Sequence, residues 1–205
     1  MSKNFKNFNI KKFNLKNKKN LYILKKIFEK MSLIRSFELE AYKNKKNNKF
    51  NTLIYLSLGQ ESIYATISEV MKNVSIFGQH RGHGIYLAYG GEPKKLVDEL
   101  IGLESGTNKG MGGSPPIFDT KIGMYGHVGL IGDQVPVAAG YSLIMKNKKV
   151  VCVNIIKSVK SYYRESDQIK SCNENVLIIK TFLNQIKLII LQINLSNLYL
   201  LQVKI

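Results

Sequence analysis

His127-Val-Gly-Leu-Ile-Gly-Asp-Gln-Val-Pro-Val-Ala-Ala-Gly-Tyr-Ser-Leu-Ile-Met145 is followed almost at once by Lys148-Lys-Val-Val-Cys-Val153. The first stretch reads as a glycine-rich loop entering a helix, in which Ala138, Ala139 and Gly140 permit close backbone packing. The second reads as a strand buried on both faces. Loop, helix and apolar strand in this order favour an α/β layered fold.

Toward the N-terminus the same alternation continues. Pro93 at a first-turn position, Leu96, Leu100 and Leu103 in register, and a stop at Gly106 predict a helix over 93–104, followed by a Gly-rich loop over 105–113. Ser57-Leu-Gly-Gln60 has the spacing of a capping box, and predicts a helix running to Met71 after a short extended run from Leu53 to Leu58. Over residues 21–43, Ile23, Leu24, Ile27, Phe28, Met31, Ile34, Phe37 and Ala41 follow the spacing of an amphipathic helix.

Composition divides the chain more sharply than hydropathy does. All 16 glycines fall between Gly59 and Gly140, all 4 prolines between Pro93 and Pro136, and the three histidines are His80, His83 and His127. Because Gly and Pro supply the turns of an α/β domain, the block from 51 to 145 is the part that can be read for function. The formal net charge of +17 is likewise uneven: about +12 in residues 1–50, −2 in 51–145 and +7 in 146–205. It measures a Lys-rich leader and a Lys-rich tail, so a nucleic-acid partner is not expected, and no basic patch interleaved with aromatics supports one.

Two cysteines, Cys152 and Cys172, form neither a CxxC pair nor a disulfide framework, and a reducing intracellular setting follows. No uninterrupted apolar run is long enough for a membrane span, so no membrane partner is expected. Residues 1–20 read as a solvated, disordered basic leader in preference to a targeting peptide. The tail is expected to form helix or strand at 176–191 and 193–204.

Generic motifs of catalysis are missing. The loop Gly106-Thr-Asn-Lys-Gly-Met-Gly-Gly-Ser-Pro-Pro116 lacks the Gly-Lys-Ser/Thr ending of a phosphate-binding P-loop, and no Gly-x-Ser-x-Gly elbow or metal-ligand spacing occurs. What stands out is Phe77-Gly-Gln-His-Arg-Gly-His-Gly84, where glycines interleave with two imidazoles and a guanidinium. Arg81 offers a planar donor fork to phosphate or carboxylate, and His80 and His83 can hydrogen-bond or carry protons near neutral pH. Taken alone, the cluster is equally compatible with a ligand loop and with a tight turn bearing surface histidines, and Gly126 to Gly132 alone reads as a packed turn.

Five segments in order carry more: Met31-Ser-Leu-Ile-Arg-Ser-Phe-Glu-Leu-Glu40, Tyr55-Leu-Ser-Leu-Gly-Gln-Glu61, His80-Arg-Gly-His-Gly84, Gly110-Met-Gly-Gly-Ser114 and Gly126-His-Val-Gly-Leu-Ile-Gly-Asp-Gln-Val-Pro136. Together they resemble the α subunit of thiamine-diphosphate-dependent 2-oxo acid dehydrogenase E1 components of the pyruvate and acetoin dehydrogenase type, from about Leu24 to Val153. The resemblance implies an incomplete thiamine-diphosphate-binding α/β fold with N-terminal helices. It also implies an oxidoreductase acting by oxidative decarboxylation of a 2-oxo acid, with acyl transfer to a lipoyl group, in an assembly with an E1 β subunit and a lipoyl-bearing E2.

Residue by residue, the resemblance places His80 and Arg81 at the family's cofactor-proximal Tyr-Arg pair, with His80 departing from the usual phenol. His83 matches a catalytic histidine of the pyruvate branch. Gly129 and Ile131 stand where the backbone faces the cofactor's aminopyrimidine. Tyr55 replaces the His that usually precedes Gly-Gln-Glu; for it, core packing and a substrate role are both open. The expected compartment is the cytoplasm, with the mitochondrial matrix or another organelle as the alternative.

The resemblance stops where the family's strand leads into Gly-Asp-Gly, which with a later Asn holds Mg²⁺ and through it the diphosphate. Here Val153 is followed by Asn154-Ile-Ile-Lys-Ser-Val-Lys, and no glycine occurs after Gly140, so no metal ligands are assigned. The expected organisation is therefore a leader over 1–20, the family-like domain over 21–153, and an atypical tail over 154–205 introduced by a frameshift, a splice variant or a gene-model error. The alternative function is a non-catalytic remnant or truncated partner subunit without cofactor binding. Lacking the later strands, Val150 to Val153 are expected to leave a hydrophobic sheet edge exposed.

Overall fold

A computed structural model describes residues 17–130, 132–145, 149–156, 176–182, 187–191 and 200–204. They fall into two compact units: residues 17–72 with 80–124, and residues 73–79 with the described residues from Tyr125 onward.

The first unit is built of helices. Helix α1 (Lys18–Lys46) starts where the Asn17 side chain accepts from the Lys19 amide, and ends among Lys43, Lys45 and Lys46, whose charge complements the carbonyl end. Helix thus begins inside the segment expected to be a disordered leader; residues 1–16 lie outside the described residues. The face of α1 that is buried carries Ile34, Glu38 and Ala41, whereas Phe28, expected in the core, is 69% exposed. Helix α2 (Glu61–Val70) follows a turn at Gly59, whose φ of +83° suits a residue without Cβ.

The capping box expected at Ser57 does not form. Gln60 is the N-cap and makes no side-chain cap bond, because the Ser57 hydroxyl is used elsewhere, as described below. The run expected to be extended from Leu53 to Leu58 joins no strand, and Leu58 lies in the turn that leads to α2. Helix α3 (His83–Ala88) is buried along its whole length. Helix α4 (Pro93–Leu100) has Pro at its start as expected but ends four residues early, and its Leu96 and Leu100 are fully buried, each contributing about 1.5–3 kcal/mol by transfer from water. Leu103, expected on the same face, is 46% exposed.

The second unit is a sheet with a helix against it. Its strands are β1 (Val74–Gln79), β2 (Met124–Val128), β3 (Lys149–Ile156), β4 (Val176–Phe182), β5 (Lys187–Leu191) and β6 (Leu200–Lys204), in the order β2-β1-β3-β4-β6-β5. β1, β3, β4 and β6 run parallel in adjacent pairs, and β5 returns antiparallel to β6. Helix α5 (Gln134–Ile144) packs Val135 and Ala138 against Phe77, Val150 and Cys152. Tyr141 seals this core, its ring 5.3 Å from Phe77 and 5.4 Å from Tyr125, with its hydroxyl accepting from Ser75. Gly140 was expected to permit close packing, yet a Cβ there would meet nothing within 4 Å; the tight glycine is Gly126, where a Cβ would lie 2.1 Å from the Gln134 side chain.

Of the helix or strand expected at 176–191 and 193–204, the described segments after residue 175 take strand. Val150 to Val153 are buried, because β1 covers one edge of β3 and β4 the other, so the exposed edge expected there is absent. Pairing also continues past Val153: Asn154 is in register with Lys180, Ile155 with Thr181 and Ile156 with Phe182. The chain stays extended at the place where a Gly-Asp-Gly turn would have to leave the sheet.

Candidate functional site

The expected site residues belong to different units. His80, Arg81, His83 and Tyr55 are in the helical unit, Gly129 is in the sheet unit, and Ile131 lies outside the described residues.

β1 delivers the chain to His80, which takes a left-handed φ of +59°, and α3 begins three residues later. This sharp exit is held by two groups from the stretch before α2 and one from α2 itself. The Leu56 carbonyl accepts from the Arg81 guanidinium. The Ser57 hydroxyl donates to the Arg81 carbonyl (3.3 Å) and accepts from the Gly84 amide (3.1 Å). The Tyr64 hydroxyl lies 3.0 Å from the same carbonyl and 3.1 Å from the Gln60 side-chain oxygen, and burial pushes its acidity well below that of an ordinary phenol, so it stays a donor. With its backbone fixed, Arg81 keeps further N–H donors on a partly exposed guanidinium, which fits an anionic oxygen. His80 stacks edge-on against Tyr55, their ring centroids 4.1 Å apart.

His83 sits behind this pair and is fully buried. Its Nδ1 lies 3.2 Å from Glu38 Oε2 and its Nε2 2.8 Å from Ser114 Oγ, while the Phe37 ring meets it edge-on at 5.9 Å. The other Glu38 oxygen accepts from the Ser57 amide (2.9 Å), and Ser114 Oγ accepts from the Tyr55 amide (2.9 Å). Glu38, assigned no role from sequence, is therefore the buried acceptor of the cluster. Its signal was available in retrospect: Glu38 stands four residues after Ile34 and three before Ala41, on the buried stripe.

A second carboxylate missed by sequence reading organises the Gly-rich loop. Glu99, fully buried on α4, accepts from the amides of Asn108 (2.6 Å) and Gly110 (3.0 Å) with one oxygen, and from Gly112 (2.7 Å) and Gly113 (3.0 Å) with the other. The loop that suggested phosphate binding thus wraps an anion of its own chain. Its approach depends on Gly106, where a Cβ would lie 2.6 Å from the Glu99 Cα.

Glu61, at the start of α2, ties Arg35 of α1 to the Gly59 turn, its Oε1 accepting from Arg35 Nε (2.6 Å) and the Gly59 amide (3.1 Å). Burial pushes its carboxyl pKa up, but the Arg35 bond and the backbone amides outweigh burial and hold it below the ordinary 4.5. The folded state thus binds protons less readily than the unfolded one, so this contribution is fully present above the unfolded value and is lost as pH falls through the lower folded value. In urea titrations, wild type and Glu61→Gln are expected to differ at pH 7 and to converge below pH 4; a gap that persists undiminished at pH 3 would refute the assignment.

In the sheet unit, the Gln79 side chain at the end of β1 accepts from the Gly132 amide (2.6 Å) and so fixes the loop after β2. Gly129 is exposed at the bend before that anchor. His127, read as part of a loop, is buried within β2.

The residues fit Mg²⁺-thiamine diphosphate only in part. Arg81 suits a phosphate oxygen, but it is one cation for a polyanion, and among the described residues no group of three or more His, Cys, Asp or Glu could hold a metal. No helix among the described residues is long and apolar enough to cross a membrane.

Residues 29–173 match the family model of the dehydrogenase E1 component. The pyruvate dehydrogenase E1 component subunit alpha of Rickettsia prowazekii is 33% identical over 122 residues, covering 59% of this chain and 37% of that protein. The mitochondrial subunits of the same name from Chaetomium thermophilum and Schizosaccharomyces pombe are 34% and 35% identical, over 60% and 58% of this chain and 30% and 29% of their own lengths. The matched region thus spans about a third of these curated relatives. With the family model matching more than half of its length, this chain belongs to the dehydrogenase E1 component family.

Proposed function

We propose that the chain is an α-type fragment of a thiamine-diphosphate-dependent 2-oxo acid dehydrogenase E1. In this reading Arg81 and His80 serve the cofactor's diphosphate and Tyr55 the substrate, and the family resemblance assigns Gly129 and Ile131 to the aminopyrimidine. In a complete assembly, an E1 β subunit and a lipoyl-bearing E2 would share the oxidative decarboxylation and acyl transfer, in the cytoplasm or the mitochondrial matrix. The bound cofactor supplies the carbon chemistry in such an enzyme. This chain by itself lacks the means to hold it and is inactive alone.

The observation that carries this reading is the course of β3. Strand pairing runs through Asn154, Ile155 and Ile156 where a metal-holding turn is needed. The family match continues to residue 173, but no glycine occurs in 154–173, so that stretch cannot supply Gly-Asp-Gly whatever else it retains. We accordingly place the end of the functional family sequence at Val153 and the atypical tail from Asn154.

Isothermal titration of the full chain with thiamine diphosphate and excess Mg²⁺ tests the proposal. The expected result is no saturable heat up to millimolar cofactor, a free energy weaker than about −4 kcal/mol. Saturable micromolar binding by the chain alone would overturn it.

A further inference from the structure

We infer that His83 is a positioning residue that acts through Ser114 on the backbone of Tyr55: Glu38, His83 and Ser114 form a buried relay whose output is the Tyr55 amide. The inference deepens the proposed function, since Tyr55 and His80 are the ring pair offered there to substrate and cofactor.

For a neutral His83 ring beside a Glu38 carboxylate, the hydrogen-bond directions close in one way. A Glu38 carboxylate has no proton to give, and its oxygens face the Ser57 amide and the His83 Nδ1. Nδ1 therefore carries the ring proton and donates to Glu38, which leaves Nε2 as an acceptor. The Ser114 hydroxyl fills it by donating across 2.8 Å, and this orients the remaining Ser114 lone pairs toward the Tyr55 N–H at 2.9 Å. Each donor has one acceptor, and His83, Glu38 and Ser114 are each 0% exposed, so no water competes for these bonds.

The segment so held is not otherwise part of a sheet or helix. Residues 53–57 belong to no helix or strand, and Tyr55 is seated on His80 at a centroid distance of 4.1 Å. The same glutamate fixes Ser57 two residues on, and Ser57 in turn holds the Arg81 carbonyl and the Gly84 amide. One buried glutamate thus sets both partners of the ring pair: Tyr55 through His83 and Ser114, and the His80–Arg81 turn through Ser57. With both ring nitrogens occupied and no exposure, His83 itself does not reach a ligand.

The test is NMR on the full chain, without cofactor, so that failure of cofactor binding and failure of this inference are separate results. The expected signature in the wild type is a His83 ring protonated at Nδ1 only, with a slowly exchanging, strongly downfield Nδ1 proton. Ser114→Ala should raise hydrogen exchange at the Tyr55 amide at least tenfold and abolish the ring contact between Tyr55 and His80, and Ser114→Thr, which keeps the hydroxyl, should restore both. Unchanged Tyr55 exchange and an intact ring contact in Ser114→Ala would overturn the inference, as would failure of Ser114→Thr to restore them. Should Ser114→Ala not fold, the wild-type tautomer decides: a ring protonated at Nε2 reverses the relay and overturns it.

Discussion

Glu99→Gln is expected to lower stability by about 2–4 kcal/mol and to release the loop from Gly106 to Gly113. The carboxylate takes four backbone N–H donors, two on each oxygen. Glutamine is nearly the same shape but replaces one oxygen by an NH₂ group, so two amides lose their acceptor and face another donor. A buried donor left unpaired costs roughly 1–3 kcal/mol, and the partly solvated positions of Gly110 and Gly112 place the total toward the lower half of the sum. Urea unfolding gives the stability, and amide exchange at Asn108, Gly110, Gly112 and Gly113 gives the location. A glutamine variant within about 0.5 kcal/mol of wild type, the range of ordinary surface changes, would show that the loop does not depend on the anion.

Gly84→Ala is the second large effect, with an expected loss of about 2–3 kcal/mol despite alanine's better helix propensity. An added Cβ would lie 2.3 Å from Tyr64 Cδ2 and 2.7 Å from Cε2. That ring cannot swing aside, because Tyr64 is 1% exposed and its hydroxyl is held at Gln60 and the Arg81 carbonyl. Displacing it should loosen the turn that presents Arg81. Adding Tyr64→Leu to Gly84→Ala removes the obstructing ring, so the two changes should be less destabilising together than their sum, a coupling read directly from a double-mutant cycle. Strict additivity, or a Gly84→Ala variant as stable as wild type, would contradict the packing argument.

How much of this was legible in the sequence differs by element. Helices α1 and α4 were readable because an apolar stripe and a first-turn proline are local signals. β3 was readable as a continuous apolar run. β1 was not: Val74-Ser-Ile-Phe-Gly-Gln79 is short, contains Ser and Gly, and is buried only because β2 and β3 flank it. The capping box at Ser57 was a valid local pattern that lost to tertiary demand, since the Arg81 carbonyl and the Gly84 amide needed that hydroxyl more. Phe28 kept helical spacing yet faces outward, because periodicity gives a stripe its phase but not its limits.

The order of its five motifs by itself pointed to the family of this protein, and the sequence alone shows that no glycine follows Gly140. Both are statements about residue identity along the chain, and no folding is needed to read them. Only the tertiary structure decided what the charged and polar residues do. Glu38 and Glu99 look like solvated helix charges in sequence, and each becomes a buried acceptor because the fold brings it backbone amides and, at Glu38, an imidazole. A carboxylate's role is set by the donors that surround it once water is excluded, and those donors are assembled by packing.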